Sequence, residues 1–394
     1  MTGDTTGLPP GWTVEVHRAI AGIAASEWNS CAATDVPYIQ HRHLRILEDS
    51  GIATPEAGFA PHHVVLRDAG GAIVAAAPAY LKMHSRGELG IDLGLPLAHA
   101  RSVGPYYPKL QIEVPMTPLT GPRLLVRPDQ DIAGARAALL SALQSEAQAC
   151  GASSVQISYM LDDEREAAEL AGLIASDSNA YVWQPQGITS MAAHLSRMHG
   201  RRRNMIARER REANGYGLTW RRLAGVDLGP DWPDRFFALY KGTFLRHNNE
   251  LWLNAKYFSM LFRDMGDAFE LLTAFDGSVC VGALFVVKNA RSLYAQHWGQ
   301  SGDHRFLHFE LAIYQGVERA IELGVERLDF GATGRHKAPR GIGLEANHHA
   351  AWFCAPAFRD VAERGLARKR AASLAERANE TARLPFAVPK VPVA

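Results

Sequence analysis

The amino-acid sequence predicts a mixed α+β protein in two similar halves. Two stretches carry the prediction. VVLRDAGGAIVAAAPAYL and LLTAFDGSVCVGALFVV share one pattern: a strand, an acidic-Gly turn and an Ala-rich strand. A helix and a further strand follow each, so one structural unit recurs. The length agrees: 394 residues, 47% hydrophobic and 21% charged, suit about two globular domains of ~150 residues.

The elements follow in order. TVEVH, from Thr13, alternates as a short strand. Ile20 to Ser30 reads as helical, and HRHLRILEDSG as a helix ending at Gly51. The DAGG turn joins two strands as a hairpin, with Gly70 and Gly71 as its positive-φ residues. Leu95 to Pro122 reads as a long Pro/Gly/Tyr loop. Asp131 to Gly151 has apolar residues at helical spacing and a terminal glycine, and SSVQISYM is the next strand. In the second half LTWRRL is a strand, Trp232 to Thr243 a helix, and FELLTAFDGSVCVGALFVVKNARSLYAQHWG three strands. Phe306 to Leu323 is a helix with Leu307, Leu311, Tyr314, Val317 and Ile321 on one face, closed by Gly324. VERLDFGA is the strand after it. The expected domains are 1–186, 187–355 with a basic helix over 197–212, and 356–394, a helix from Phe358 to about Asn379 packing back on the core and a Pro-rich mobile tail. A cleft between the first two domains is expected.

Composition excludes several classes. No run of 18 apolar residues suggests a membrane span, and the polar, turn-rich start lacks the regions of a signal peptide. The four scattered cysteines form no CxxC pair. A cytoplasmic location is expected. A formal net charge of +1 argues against a uniformly basic nucleic-acid binder. The histidines of HRH (41–43), HNNE (247–250) and NHH (347–349) have no clear ligand geometry, so no metal is expected. There is no GxSxG motif and no evidently activated cysteine.

Two places concentrate cations. RMHGRRRNMIARERR, Arg197 to Arg211, holds seven arginines against one glutamate. RLDFGATGRHKAPRGIG, Arg327 to Gly343, runs from a buried strand into a loop with four glycines, a histidine, a lysine and, counting Arg327 of the strand, three arginines. Loops at strand ends carry binding groups, glycines admit close backbone approach, and Arg with Lys suits an anion or a developing anion.

Taken together, these elements look like the GNAT acyltransferase fold, twice. AYLKMHSRGEL, GPYYPKLQIEVPMTPLTGPRLLV, RRRNMIARERR, LHFELAIYQGVERAIELG and GATGRHKAPRG, in that order, resemble the FemAB-like predicted N-acyltransferases over roughly residues 13–370. The resemblance implies transfer of an acyl group to an amine. Arg335 departs from it, standing where the family usually has an acidic residue, as does the altered segment YVWQPQGITS.

The resemblance favours aminoacyl-tRNA as co-substrate, with no bound cofactor, and a small-molecule amine or cell-wall precursor as acceptor. Arg201, Arg202, Arg203 and Arg208 are expected to hold donor phosphates, joined by Arg335 and Arg340 of the loop. Lys337 matches a lysine of the Fem-like families and is expected to stabilise the oxyanion. Glu310, His336 or His308 is the expected base for the attacking ammonium. Tyr106, Tyr107, Lys109 and Trp298 are expected to line the acceptor pocket. Two alternatives stand beside this. One is an acyl-CoA-dependent enzyme, against which Asp303, after Gly299 and Gly302, would repel a pyrophosphate. The other is a non-catalytic RNA- or glycan-binding protein on the same fold.

Overall fold

The computed structural model describes residues 8–87, 92, 94–246 and 250–386. It is α+β with mixed sheets. Its contacts divide it into an N-terminal unit, residues to Ser178 plus Ala346–Leu374, and a C-terminal unit, Asn179–Glu345 plus the residues from Ala375. The breaks differ from the expected boundaries at 186 and 355. They fall inside continuous elements, two strands and one long helix, where composition does not change.

The N-terminal unit contains β1 (Thr13–His17), β2 (Phe59–Pro61), β3 (His63–Arg67), β4 (Ile73–Ala77), β5 (Ala79–Lys82), β6 (Lys109–Ile112), β7 (Leu125–Val126) and β8 (Ser154–Met160). Strands β1, β3, β4 and β7 form one sheet in that order. Strands β2, β5, β6 and β8 lie side by side in another. The helix Ile132–Ala149 crosses over between β6 and β8, which pair in parallel, as a β–α–β connection requires. Asp131 caps it by accepting the Gly134 N–H. Its leucines 139, 140 and 143 pack on Val64, Leu66, Val155 and Ile157.

Two sequence expectations change here. Only Gly71 of the DAGG turn is left-handed, at φ 84°, because Asp68 Oδ1 accepts the Gly70 and Ala72 amides and fixes the rest of the turn. The stretch read as a loop from Leu95 holds a helix, Leu95–Ser102, with proline at its start, and β6, all four residues of which are buried. Its prolines and glycines hid both.

After β9 (Ile174–Trp183), the C-terminal unit contains β10 (Thr219–Ala224), β11 (Phe269–Asp276), β12 (Val279–Lys288), β13 (Ser292–Gln300) and β14 (Arg327–Asp329), in the sheet order β10-β11-β12-β13-β14-β9. β10 to β13 are antiparallel neighbours, and β13 and β14 are parallel. The intervening helix begins at Leu307, one residue from the expected start, but its first turns are not α-helical. Phe309–Gln315 is a π-helical stretch, continued by the α-helix Gly316–Leu323. π turns are rare and tend to sit at functional sites. Leu307, Leu311, Tyr314 and Val317 enter a core with Leu272, Leu284 and Leu328.

β15 (Gly343–Phe353) runs from the C-terminal unit into the N-terminal one, where His349–Phe353 pair with β8. The last helix, Arg359–Ala382, crosses back at 374/375. The tail is not loose up to Phe386: Pro385 O accepts the His199 N–H at 2.8 Å, and Leu384 and Phe386 pack on the C-terminal core. The rest of the tail lies outside the described residues.

Candidate active site

The C-terminal unit builds a pocket where its parallel strands part. β13 and β14 pair over only three residues, Ser292–Tyr294 with Arg327–Asp329. β13 then runs on to Gln300, while the chain after β14 turns into the glycine-rich loop. The pocket, about 540 Å³, is lined by Trp298 and Gln300 from β13 and by Phe306, His308 and Phe309 beyond it. Thr243, Arg246 and His304 complete the lining. Gly299, between Trp298 and Gln300, is a packing residue. A Cβ there would collide with Leu239 C, in the helix Trp232–Arg246. The closeness of that helix puts Trp298 and Gln300 together on the opposite face of β13.

In the N-terminal unit the corresponding parallel pair, β6 and β8, is closed by its own chain. Gly121 N–H donates to Tyr159 O at 3.0 Å, and Arg123 Nε to Ser158 O at 3.0 Å.

The loop after β14 is locked from inside. Lys337 is buried, and its Nζ donates to Phe330 O at 2.6 Å and Thr333 O at 2.5 Å. Burial pulls its pKa down to about 8, against the pull of nearby Asp329. Burial also raises the pKa of Asp329, opposed by Arg327. His336 turns towards the pocket wall, with ring centroids 5.6 Å from His308 and 5.2 Å from Phe309. Its Nε2 is buried without a hydrogen-bond partner among the described residues. Burial, with Lys337 and Arg340 adding to it, lowers its pKa to about 4. It is therefore neutral at pH 7 and a weak acceptor for an ammonium proton.

The basic helix spans Gly200–Asn214 and is clamped to this assembly by its inner face. Glu209 binds the Arg340 guanidinium bidentately, at 2.6 and 3.0 Å, and accepts the Tyr314 hydroxyl. Arg210 grips Glu310 at 3.0 and 3.1 Å and Glu318 at 2.8 Å. Arg340 also lies 3.7 Å over the Phe309 ring.

These contacts revise several expected roles. Arg340 is an internal strut, 6% exposed, and offers little to a phosphate. Glu310 is held by Arg210, so it is no free base; burial raises its pKa and Arg210 opposes the rise. Tyr106 and Lys109 are buried in the N-terminal unit around Asp92: the Tyr106 hydroxyl and Lys109 Nζ both reach its carboxylate at 2.5 Å, and Tyr107 reaches it at 3.3 Å. That is a structural network, with Gln156 as a further partner of Lys109 at 2.9 Å. Trp298 and His308 do line a pocket. Arg201, Arg203, Arg208 and Arg335 are exposed and Arg202 is half-buried. Arg203 donates to Met198 O, and Arg208 reaches Glu212 at 3.6 Å.

The histidine-rich stretches have other tasks. His41 Nε2 contacts Ile20 O at 2.9 Å and His43 Nδ1 contacts Tyr38 O at 3.0 Å. His349 Nε2 contacts Ser178 Oγ at 2.7 Å. His247 to Asn249 lie outside the described residues. Among the described residues, one group has metal-ligand spacing, His62, Glu146 and Cys150, with ligand atoms within 4.8 Å of one another. Arg18 Nη1 contacts His62 as well, and a fixed cation disfavours a metal there.

Nothing in the sequence singles out Gln300, Phe306 or Glu209. Phe306 at φ 63° is a bulky residue in a strained conformation, which only coordinates reveal.

The FemAB-like family model, described as peptidoglycan biosynthesis/recognition, matches residues 19–388. The chain belongs to the FemAB-like family. It is an acyltransferase by that membership. Among solved structures it is similar to FemX, at 13% identity over 86% of this chain and 98% of that one, with a TM-score of 0.55. It is also similar to the C-terminal domain of a putative lysylphosphatidylglycerol synthetase from Agrobacterium fabrum, at 11% identity, 89% and 95% coverage and a TM-score of 0.54. A tandem GNAT protein from the clavulanic acid biosynthesis pathway matches at 12% identity, 88% and 99% coverage and a TM-score of 0.45. These likenesses concern the fold. No curated protein matches the chain. No helix among the described residues is long and apolar enough to cross a membrane.

Proposed function

We propose that this acyltransferase moves an aminoacyl group from aminoacyl-tRNA to the amine of a small molecule or cell-wall precursor. The amine nitrogen attacks the ester carbonyl, the bond to the ribose oxygen breaks, and the proton leaving nitrogen ends on that oxygen. One observation carries the choice of donor. The basic helix is clamped by Glu209 and Arg210 onto the helix and loop that flank the pocket, while Arg201, Arg208 and Arg211 stay in solvent. Arginines held outward on a rigid mount suit backbone phosphates. An acyl-CoA donor is supported less, because Gly299 is taken up by packing against Leu239 rather than left to meet a pyrophosphate. Lys337 positions the loop, using two of its three N–H donors, and His308 on the pocket wall is the candidate base.

The test is donor competition. The chain is purified at low salt and offered a panel of amines with aminoacyl-tRNA or acyl-CoA as sole donor. Transfer abolished by ribonuclease is expected. Ribonuclease-insensitive transfer from acyl-CoA would overturn the reading, and RNA binding without transfer would favour a non-catalytic binder. Replacing Arg201, Arg208 and Arg211 with alanine is expected to lower the log–log salt slope of RNA binding by about 1 for each phosphate no longer neutralised.

A further inference from the structure

One guanidinium holds two carboxylates of the helix beside the pocket. Arg210, on the inner face of the basic helix, binds Glu310 at 3.0 and 3.1 Å and Glu318 at 2.8 Å, and lies 5.7 Å over the Tyr314 ring between them. In a regular α-helix, at about 100° per residue, positions i and i+8 point about 80° apart. Here the chain is π-helical over Phe309–Gln315 and α-helical from Gly316. An i→i+5 ladder turns about 82° per residue, so five π steps and three α steps bring Glu310 and Glu318 to within about 10° of one direction. The π register places both carboxylates within reach of a single side chain.

The register also sets which side chains face the pocket. Phe309 opens the π stretch, His308 precedes it, and both line the pocket. Recast as α-helix, with Val317 and Ala320 kept in their core positions, each step from Phe309 to Gln315 would add about 18° and turn Phe309 by about 110° about the axis. That would carry its ring away from Phe306, on which it stacks at 6.0 Å and 24°. His308, 5.2 Å from Trp298, would swing with it. The fork of an arginine suits the task. Nε and Nη2 take Glu310 together and Nη1 remains for Glu318, whereas a lysine is a point charge that fixes neither direction.

We propose that Arg210 is a positioning residue for acyl transfer: by stapling Glu310 to Glu318 it keeps this helix in its π register, and the register holds Phe309 and His308 against the pocket. The proposal rests on the acyl-transfer reading but not on which donor is used. It gives the basic helix a second task, because its inner face sets the pocket wall while its outer arginines stay in solvent.

Two readouts on the full chain test this. Glu318→Ala opens one arm of the staple at a half-buried site and leaves Glu310 paired, so it folds even where a change at Arg210 does not. Arg210→Lys keeps the charge and loses the fork. Arg222→Met is the control, since it breaks the pair with Glu322 on the same helix, beyond the π stretch. The first readout is the fluorine resonance of Trp298 in fluorotryptophan-labelled protein, assigned by its loss in Trp298→Phe. It should shift in both staple variants and stay in the control, while the resonance of Trp28, in the N-terminal unit, stays in all three. The second is transfer to the amine panel. In both staple variants kcat should fall by about tenfold or more with RNA binding unchanged, because a misplaced wall costs rate rather than docking. In Arg222→Met it should hold. Any pattern other than both readouts moving in the staple variants and neither in the control overturns the proposal. No transfer from either donor by the unaltered protein would instead overturn the acyl-transfer reading, and the Trp298 resonance would then decide the staple alone.

Discussion

Lys337 shows how a residue legible in sequence acquires a different task in three dimensions. A lysine among glycines after a buried strand is readable as functional. That it spends two donors on Phe330 O and Thr333 O, with Asp329 nearby, is not, because those partners depend on how the loop folds back. The same holds for Arg340, whose partner Glu209 is 131 residues away, and for Lys109, whose partner Asp92 precedes a helix that the sequence presents as loop. The lysine gives a pH prediction. Burial disfavours its ammonium, so its pKa is about 8 folded against 10.5 as the ordinary value. Between those limits the unfolded chain binds the extra proton, so stability rises with pH there and the penalty is present in full below about 8. Urea midpoints across this range should rise less steeply in Lys337→Met than in the unaltered protein. Equal slopes would mean that the ammonium is not disfavoured by burial.

At the scale of elements, the basic helix is recognisable from its arginines, but its orientation is not. Its six arginines leave no broad apolar stripe to set a face, and the inner face is chosen by ion pairs instead. Glu209, 4% exposed at its side chain, neutralises Arg340, 6% exposed, and the Tyr314 hydroxyl joins them. Removing one partner of such a pair leaves a buried charge uncompensated, which costs about 3–5 kcal/mol. Glu209→Ala is therefore expected to lower stability by that order in denaturant unfolding. Glu209→Ala combined with Arg340→Leu should recover much of the loss, since the orphaned charge is gone. If the double variant is no better than the single, the pair is not what holds the helix. The contrast with Arg208–Glu212, an exposed i,i+4 pair at 3.6 Å, is useful. Breaking that one should shift stability by no more than about 0.5 kcal/mol.

For the whole molecule, the repeat is legible and the path of the chain is not. Both hairpins and both crossover helices follow from local patterns, since each depends on residues close in sequence. The breaks between units do not, because β9, β15 and the last helix pass through them without interruption. One consequence reaches the pocket-bearing unit. The chain after Ala375 belongs to the C-terminal unit, where Asn179 bonds both Glu376 and Arg377 at 2.8 Å. Farther on, Pro385 O takes the N–H of His199, immediately before the basic helix, at 2.8 Å. Phe386 pairs with Met198 and crowds Gly341, where an added Cβ would meet its ring at 2.9 Å. The end of the described chain thus braces the start of the basic helix and the loop that carries Lys337. Cutting the chain after Leu374 should leave the N-terminal core intact and loosen that assembly. Hydrogen exchange should quicken over residues 198–214 and 331–342 while Ile132–Ala149 and Ser154–Met160 keep their protection. Transfer activity should fall with the local loosening, ahead of any loss of the global fold. Uniform acceleration across both units would show that they unfold as one cooperative body, and unchanged exchange at 198–214 would show that the brace carries no stability.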